Sequence, residues 1–310
     1  MPGADSDKVF TLRNIPDTYR IKSFIDRSDV KRAAVVGAGY IGVEMAENLR
    51  TAGLEVALIE MQDQVIAPLD YDMACAVQNH LVEKGVELIL SNGVQSIEDK
   101  GNELELTLTA GKITADMLLL SIGVRPESAL AASAGLKVND RGAVLVDEYM
   151  RSSDPDIYVL GDAIQITDFV TGQPGYIPLA GPANRQGRLA AGHICGINKP
   201  YRGTQGSSVL KVFDMTVATT GINEKTAKRL GIPYEKSFTF SGNAPGCYHG
   251  AMVMSSKTLF DPDNGKVLGG QLVGYDGVDK RCDVLATAIR AKMTAYDLAE
   301  LELCYAPPFS

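Results

Sequence analysis

Gly37-Ala38-Gly39-Tyr40-Ile41-Gly42 follows the apolar run Lys31-Arg32-Ala33-Ala34-Val35-Val36 and precedes a helix-like stretch over 40–52. That arrangement decides the fold. A short apolar run leading into a glycine turn and a helix reads as a buried parallel strand opening a βα unit. Gly37 permits the tight turn, Gly39 leaves the backbone bare where a pyrophosphate would approach, and Gly42 lets the helix rest on the strand. Tyr40 and Ile41 stand at the helix start, where unpaired N–H groups and the positive dipole end form an anion cradle. Gly53 sits at a helix-ending position. The next strand, Glu55-Val56-Ala57-Leu58-Ile59-Glu60, ends in an acid close to the ~20-residue spacing of a dinucleotide fingerprint. Glu60 can accept hydrogen bonds from both adenosine ribose hydroxyls, and its charge would repel a 2′-phosphate. The reading is NAD(H) rather than NADP(H). A glycine-rich βα turn with no ligand is the competing reading, and the full strand–turn–helix–strand–acid order weighs against it.

Outward from the motif the strand–helix rhythm continues. Asp72 to Lys84 reads as a helix and Val86 to Leu90 as a strand, while Leu104 to Leu108 alternates as an antiparallel strand does. Met117-Leu118-Leu119-Leu120-Ser121-Ile122 is a closing buried strand that ends at Gly123. Upstream, Val9 to Leu12 reads as a short strand and Asp17 to Ile25 as a helix. This order predicts a doubly wound parallel sheet with a hairpin layer. Residues 124–150 are turn-rich and mark a boundary, and a second section runs to Gln205. From Ser207 the pattern becomes α+β. Strands are expected at Ser208–Phe213, Thr216–Thr219, Lys236–Phe240, Ala251–Phe260 and Val267–Val273. Helices are expected near Glu224–Leu230, Cys282–Lys292 and Thr294–Glu300. Asp261-Pro262-Asp263-Asn264-Gly265 reads as a hairpin turn.

Composition narrows the classes. The 310 residues, 45% hydrophobic and 22% charged, fit two or three globular domains. A net charge of −8 argues against a nucleic-acid partner. No apolar stretch reaches the ~18–20 residues of a membrane span, and the N-terminus has no apolar signal region. The five cysteines are widely spaced, with no CxxC pair, so neither a disulfide framework nor a zinc site is expected. A reducing cytoplasm is the natural compartment. Cys195 follows an Ala-rich helical stretch and reads as core. The three histidines lack ligand spacing, and no metal is assigned.

Four stretches in order resemble the FAD-dependent pyridine nucleotide-disulfide oxidoreductase family. They are residues 37–44 (GAGYIGVE), 121–127 (SIGVRPE), 156–163 (DIYVLGDA) and 178–188 (PLAGPANRQGR). The resemblance covers nearly the whole chain. It implies that the Asp162 carboxylate, beside Gly161, holds the FAD ribityl chain. It also implies that the helix start at Ala180, Gly181 and Pro182 points N–H groups at the flavin pyrimidine edge. Gly123 falls where the chain leaves the NAD domain for the FAD domain. Tyr40 would cover the flavin near the nicotinamide pocket and swing aside when NADH binds, against the alternative of an ordinary helix-start aromatic. Glu44, one turn on, would lie beside the nicotinamide ribose.

Residues 303–310 (LCYAPPFS) resemble the end of coenzyme A-disulfide reductases and the related persulfide and polysulfide reductases. There, two tyrosines of the dimerisation domain reach the partner's disulfide site. Tyr305 matches one. Tyr248, in Cys247-Tyr248-His249-Gly250, is what remains of a Tyr-Tyr-Pro-Gly-like stretch. Both are implied to be catalytic, with packed interface aromatics as the alternative. Val278-Asp279-Lys280-Arg281 is similar as well, with a solvated face as its alternative.

Neither the family's first FAD motif nor its redox cysteine matches any part of this chain, which reads as truncated at both ends. FAD binding by the chain alone is expected to be weak or absent, with an apolar surface left exposed or covered by a partner. The expected fold is α/β, a Rossmann-like NAD(H)-binding domain inserted in a partial FAD-binding domain, followed by an α+β dimerisation domain. The divisions are 1–28 (connector and partial FAD domain), 29–125 (NAD(H)-binding), 126–205 (second part of the FAD domain) and 206–310 (dimerisation, incomplete). The implied activity of the parent enzyme is hydride transfer from NADH through FAD to a small-molecule coenzyme A disulfide, persulfide or polysulfide, in a homodimer. An NADH oxidase or peroxidase of the same family, or a non-catalytic NAD-binding and dimerisation module, are the alternatives.

Overall fold

Five parallel strands form the sheet around the glycine motif. Counted along the chain they are β1 (Val9–Phe10), β2 (Arg32–Val36), β3 (Glu55–Ile59), β4 (Val86–Ile89) and β8 (Met117–Leu120), in spatial order β1-β8-β2-β3-β4. The computed structural model describes residues 1–27 and 29–309. Helices α1 (Ile15–Ile25), α2 (Tyr40–Thr51) and α3 (Tyr71–Glu83) belong to this unit. Between β4 and β8 lies an antiparallel meander of β5 (Val94–Asp99), β6 (Leu104–Leu108) and β7 (Lys112–Ala115).

The strands read as unbroken apolar runs because both faces are covered. Ala33, Val35, Val56, Leu58, Met117 and Leu119 pack with Val43, Ala46 and Leu49 of α2 and Met73, Val77 and Leu81 of α3. Ala34, Val36, Ile59 and Leu118 pack instead with Leu104, Leu106 and Leu108 of the meander. β6 and β7 show the alternation expected of the hairpin layer. β5 is broken by a bulge between Val94 and Ser96, which hides its period. The closing strand stops at Leu120 rather than Ile122, because Ser121 turns toward Gly37.

Residues 1–27, read as a connector, pack onto this same sheet. β1 adds an edge strand beside β8, and Phe10 and Ile21 enter the α2/α3 core. Helix α1 starts two residues earlier than expected, at Ile15, because Asn14 and Asp17 close a reciprocal capping box.

Residues 126–205 hold α4 (Ala129–Ser133), a short 3-10 turn at Gly161–Ala163, β9 (Ile166–Thr167), β10 (Pro174–Gly175) and α5 (Ala180–Ile194). Their core is small, built on Val144, Met150, Ile164, Ile166 and Ala190. Cys195 caps α5 and is exposed. The core expectation for it fails because the apolar face of α5 ends at Ala190.

The last module is an antiparallel sheet in order β11-β12-β15-β14-β13, formed by β11 (Ser208–Val212), β12 (Met215–Gly221), β13 (Glu235–Gly242), β14 (Val253–Phe260) and β15 (Val267–Gly274). It carries α6 (Glu224–Leu230), α7 (Val278–Ala291) and α8 (Ala295–Ala299). Edge strand β13 is exposed along its whole length and displays a T-shaped Phe238–Phe240 pair. β11 and β12 also pack against the first unit, since Leu210, Val212 and Val217 share its core. Among the described residues no helix is long and apolar enough to cross a membrane.

Candidate functional site

Three neighbouring strands end at one place. Val36 lies in register with Ile59 of β3 and Leu120 of β8. Gly37, Glu60 and Ser121 therefore emerge together at the carboxyl edge, where open α/β sheets bind ligands. Gly37 turns there with φ +98°, and a Cβ on it would lie 2.5 Å from the Ser121 carbonyl oxygen. At Gly42 a Cβ would lie 1.8 Å from the Gly37 oxygen, so only glycine lets the helix sit on the turn. The single Ser121 O–H is shared between the carbonyls of Val36 and Gly37, with Oγ 2.8 Å from each. It clamps the turn from the adjacent strand, a role that the bare Ser-Ile-Gly pattern does not disclose. Gly123, with φ +98°, turns the exposed chain away from the sheet.

Gly39 differs from both. It caps α2 in an extended conformation, and no atom lies within 4 Å of a Cβ built on it. Folding makes no demand for glycine here, and the bare backbone keeps the space above the helix open. The N–H of Val43 is the first to bond within the helix, to Gly39 O at 3.0 Å. Tyr40, Ile41 and Gly42 are left without intrahelical acceptors. Open backbone and free donors at a positive helix end fit a dinucleotide pyrophosphate. Glu60 accepts from Ala38 N–H through Oε2 and from Gln62 N–H through Oε1, both at 2.8 Å. Each oxygen keeps a lone pair, so the carboxylate is aimed without being consumed. Burial, then the like charge of Glu47, raises the Glu44 carboxyl above its ordinary range although much of the side chain is open to solvent. Tyr40 is half-buried, and its hydroxyl lies 2.7 Å from Ser208 Oγ.

The second cluster lies at the 3-10 turn. Gly161 N–H donates to Oε1 of Gln186 on α5 at 2.8 Å, and Tyr176 donates to the Asp162 carbonyl at 2.9 Å. Gln186 is buried. It is a fully buried polar side chain in a helix rich in Ala and Gly, which is the signal that could have found it. These ties leave the Asp162 side chain exposed. α5 starts at Ala180 without a side-chain cap, and Ala183 is the first residue to bond back, to Leu179. The donors of Ala180 and Gly181 stay open, and Pro182 has none. An outward carboxylate and a bare helix start fit the ribityl hydroxyls and an electron-rich ring edge. Tyr158 reaches the other end of α5, its hydroxyl 2.7 Å from His193 Nδ1.

Tyr248 and Tyr305 are 43% and 69% exposed, and among the described residues neither phenol makes a hydrogen bond or an aromatic contact. Within one chain nothing joins them. Cys247 and Cys304 beside them are exposed. Cys282 is buried, and burial, then Asp283 and Asp279, pushes its thiol up to about 12, so it carries no thiolate near neutrality. Lys280 is exposed, and Arg281 turns back to the Gly277 carbonyl at 3.2 Å.

A buried charge cluster joins the first unit to the last module. Lys257 on β14 is 0% exposed. Its ammonium contacts both Asp72 oxygens at 2.8 Å, Asp70 at 3.2 Å, and Glu224. Asp70 exchanges two hydrogen bonds with Gln271, each 2.6 Å, and accepts the Glu224 N–H at the start of α6. Burial alone would lower Lys257, but hydrogen bonds to Asp72 and Glu224 raise it. Burial alone would raise Glu224, but hydrogen bonds from Lys236, Lys257 and Tyr234 bring it down to about 2. The three carboxylates have the spacing of a metal site, with the lysine among them. On α3, His80 Nε2 lies 2.9 Å from Asp214 without hydrogen-bond direction, while Lys84 reaches the same carboxylate at 2.8 Å.

Comparison with known proteins fits this arrangement. Residues 1–187 match the model of the pyridine nucleotide-disulphide oxidoreductase family, and residues 207–310 match that family's dimerisation domain. The chain belongs to this family, whose members use FAD and NAD(P)H. A protein of Methanocaldococcus jannaschii named NADH oxidase is 37% identical over 310 residues, covering 99% of this chain and 68% of that protein. A coenzyme A disulfide reductase of Staphylococcus haemolyticus is 35% identical, covering 99% and 69%. Among solved structures, reduced Bacillus anthracis CoADR-RHD is 51% identical with a TM-score of 0.97, covering 100% of this chain and 56% of that one. A NAD-dependent persulfide reductase from A. fulgidus is 38% identical with a TM-score of 0.97, covering 100% and 57%. The chain thus spans little more than half the length of these two structures.

Proposed function

We propose that this chain supplies the pyridine-nucleotide site, part of the flavin site and the pairing module of an NADH-dependent flavoprotein reductase. Its substrate would be a coenzyme A disulfide, a persulfide or a polysulfide. The observation that carries this reading is the turn at residues 37–42 with Glu60. Gly37 and Gly42 are demanded by the fold, and Gly39 only by a ligand. The names of the staphylococcal and archaeal reductases support the substrate class. In this reading Gly37, Gly39, Ile41 and Gly42 hold the pyrophosphate and Glu60 holds the adenosine ribose. Glu44 and Tyr40 border the nicotinamide, with Gly123 at the rim. Gly161 and Asp162, with the donors at Ala180 and Gly181 and the bend at Pro182, hold the flavin. FAD, when bound, supplies a two-electron relay between NADH and sulfur. The chain's own task is to bind and orient the ligands.

Tyr248 and Tyr305 are assigned to the site of a partner subunit, with the exposed edge β13 and its Phe pair suited to a second copy. The working division is 29–125 for NAD(H), 126–205 for flavin and 206–310 for pairing, with residues 1–27 packed on the first. The five free cysteines suit a reducing compartment such as the cytoplasm. An NADH oxidase is the second reading, favoured by the name of the M. jannaschii relative.

Titration of NADH and NADPH against the purified chain by nucleotide fluorescence, with and without FAD, tests the proposal. Saturable NADH binding at least ~10-fold tighter than NADPH is expected, since one charge repulsion is worth about a decade. Equal or absent binding of both would refute it.

A further inference from the structure

Helix α2 does not belong to the nucleotide unit alone. Tyr40, its first residue, sends its hydroxyl out to Ser208, the first residue of β11, at 2.7 Å. Ser208 Oγ lies 3.0 Å from Thr219 Oγ1 across the β11–β12 ladder, where the two residues are register partners. Two turns along α2, Glu47 accepts the N–H of Phe213 at 2.7 Å. Phe213 follows β11 in a left-handed conformation, φ +54°, which turns that N–H toward the helix. The helix is thus pinned to the pairing sheet at both ends of β11.

The two pins differ in kind. The one at Glu47 is charge-assisted and uses a main-chain donor, so breaking it strands a carboxylate beside Glu44. The one at Tyr40 joins two neutral hydroxyls, and Ser208 already has a second partner in Thr219. When the phenol departs, the two sheet hydroxyls keep each other and no polar group is orphaned.

We infer that Ser208 is a positioning residue for Tyr40. It holds the phenol in a resting orientation that must be given up when the nicotinamide half of NADH enters. The inference rests on the reading of Tyr40 as the residue that covers the nicotinamide pocket. A ligand that binds only one of two orientations has its affinity reduced by the fraction held in the other, so the latch weakens NADH binding and its removal strengthens it.

The test compares NADH with ADP-ribose, which uses the same glycine turn and Glu60 but has no nicotinamide. Ser208→Ala should tighten NADH binding by about 3–10-fold, the worth of one net hydrogen bond, and leave the Kd of ADP-ribose unchanged. Tyr40→Phe should give the same shift, and the double variant no more than either single one, because both act on one bond. Equal shifts for both ligands would mean that α2 was merely loosened, and would overturn the inference. So would unchanged or weakened NADH binding in a variant that still binds ADP-ribose, or additive single effects. A wild-type chain that binds neither ligand overturns the dinucleotide reading itself, and the latch falls with it.

Discussion

Residues 29–125 bury both faces of their sheet, whereas residues 126–205 gather only five residues into a core. The first region fixes its candidate site by hard contact. Helix, turn and neighbouring strand touch so closely that glycine is compulsory at 37 and 42. The second region fixes its site by single polar ties, Gln186 to Gly161 and Tyr176 to Asp162, while Leu130, Ile194 and Ile197 stand 83%, 64% and 62% exposed. A site held by steric contact keeps its geometry with or without ligand. A site held by isolated hydrogen bonds depends on whatever covers it.

The largest effect should come from the joint between the first region and the pairing module. Lys257→Met leaves the buried carboxylates of Asp70 and Glu224 without their cation, with exposed Asp72 at their edge, and should cost about 3–5 kcal/mol by urea unfolding. A loss under about 1 kcal/mol would show that water reaches the cluster. Acid probes the same joint. Glu224 lies near 2 when folded against an ordinary 4.5, so its contribution is complete above 4.5 and is lost as the pH falls through 2. Stability should drop by on the order of 3 kcal/mol across that window, and Glu224→Gln should flatten the decline. A wild-type curve that is flat there would remove the joint from the comparison.

Within the nucleotide turn, Gly42→Ala must push α2 away from the Gly37 carbonyl. It should cost about 1–3 kcal/mol and abolish NADH binding. Gly39→Ala meets nothing in the protein, so its stability should stay within ~0.5 kcal/mol while NADH binding weakens. Equal stability losses at both positions would erase the distinction between fold-required and ligand-required glycine. The smallest effect is expected at Gln186→Leu, which orphans one N–H. Hydrogen exchange at residues 161–163 should quicken with about 1 kcal/mol or less of global loss, because this region opens locally. A large global loss would show that the thin core is more tightly coupled than its packing implies.

The nucleotide half was legible in the sequence because its parts are close together: strand, three glycines and acid fall within residues 31–60. The family stretches further on were legible as patterns, although each pattern concealed its support. Ser121 and Gln186 stood inside two of them, and their contacts depend on which neighbours the fold brings up. Cys195 was misread because an Ala-rich helix resembles core until its faces are assigned. The Lys257 cluster and the Tyr40–Ser208 contact were not legible. Lys257 lies more than 150 residues from Asp70 and Asp72, as Tyr40 does from Ser208, and a lone lysine in an alternating strand looks like any solvent-facing one.

Lys257 has a consequence for engineering. Its ammonium and Glu224 lie on one side of a unit boundary, and Asp70 and Asp72 on the other, so the nucleotide-binding unit is not a free cassette. A chimaera that grafts residues 1–125 of a relative onto this pairing module inherits an unbalanced pocket unless positions 70 and 72 travel matched to 224 and 257. Sequence identity at the nucleotide turn would not foretell which grafts fold. Agreement at those four positions would.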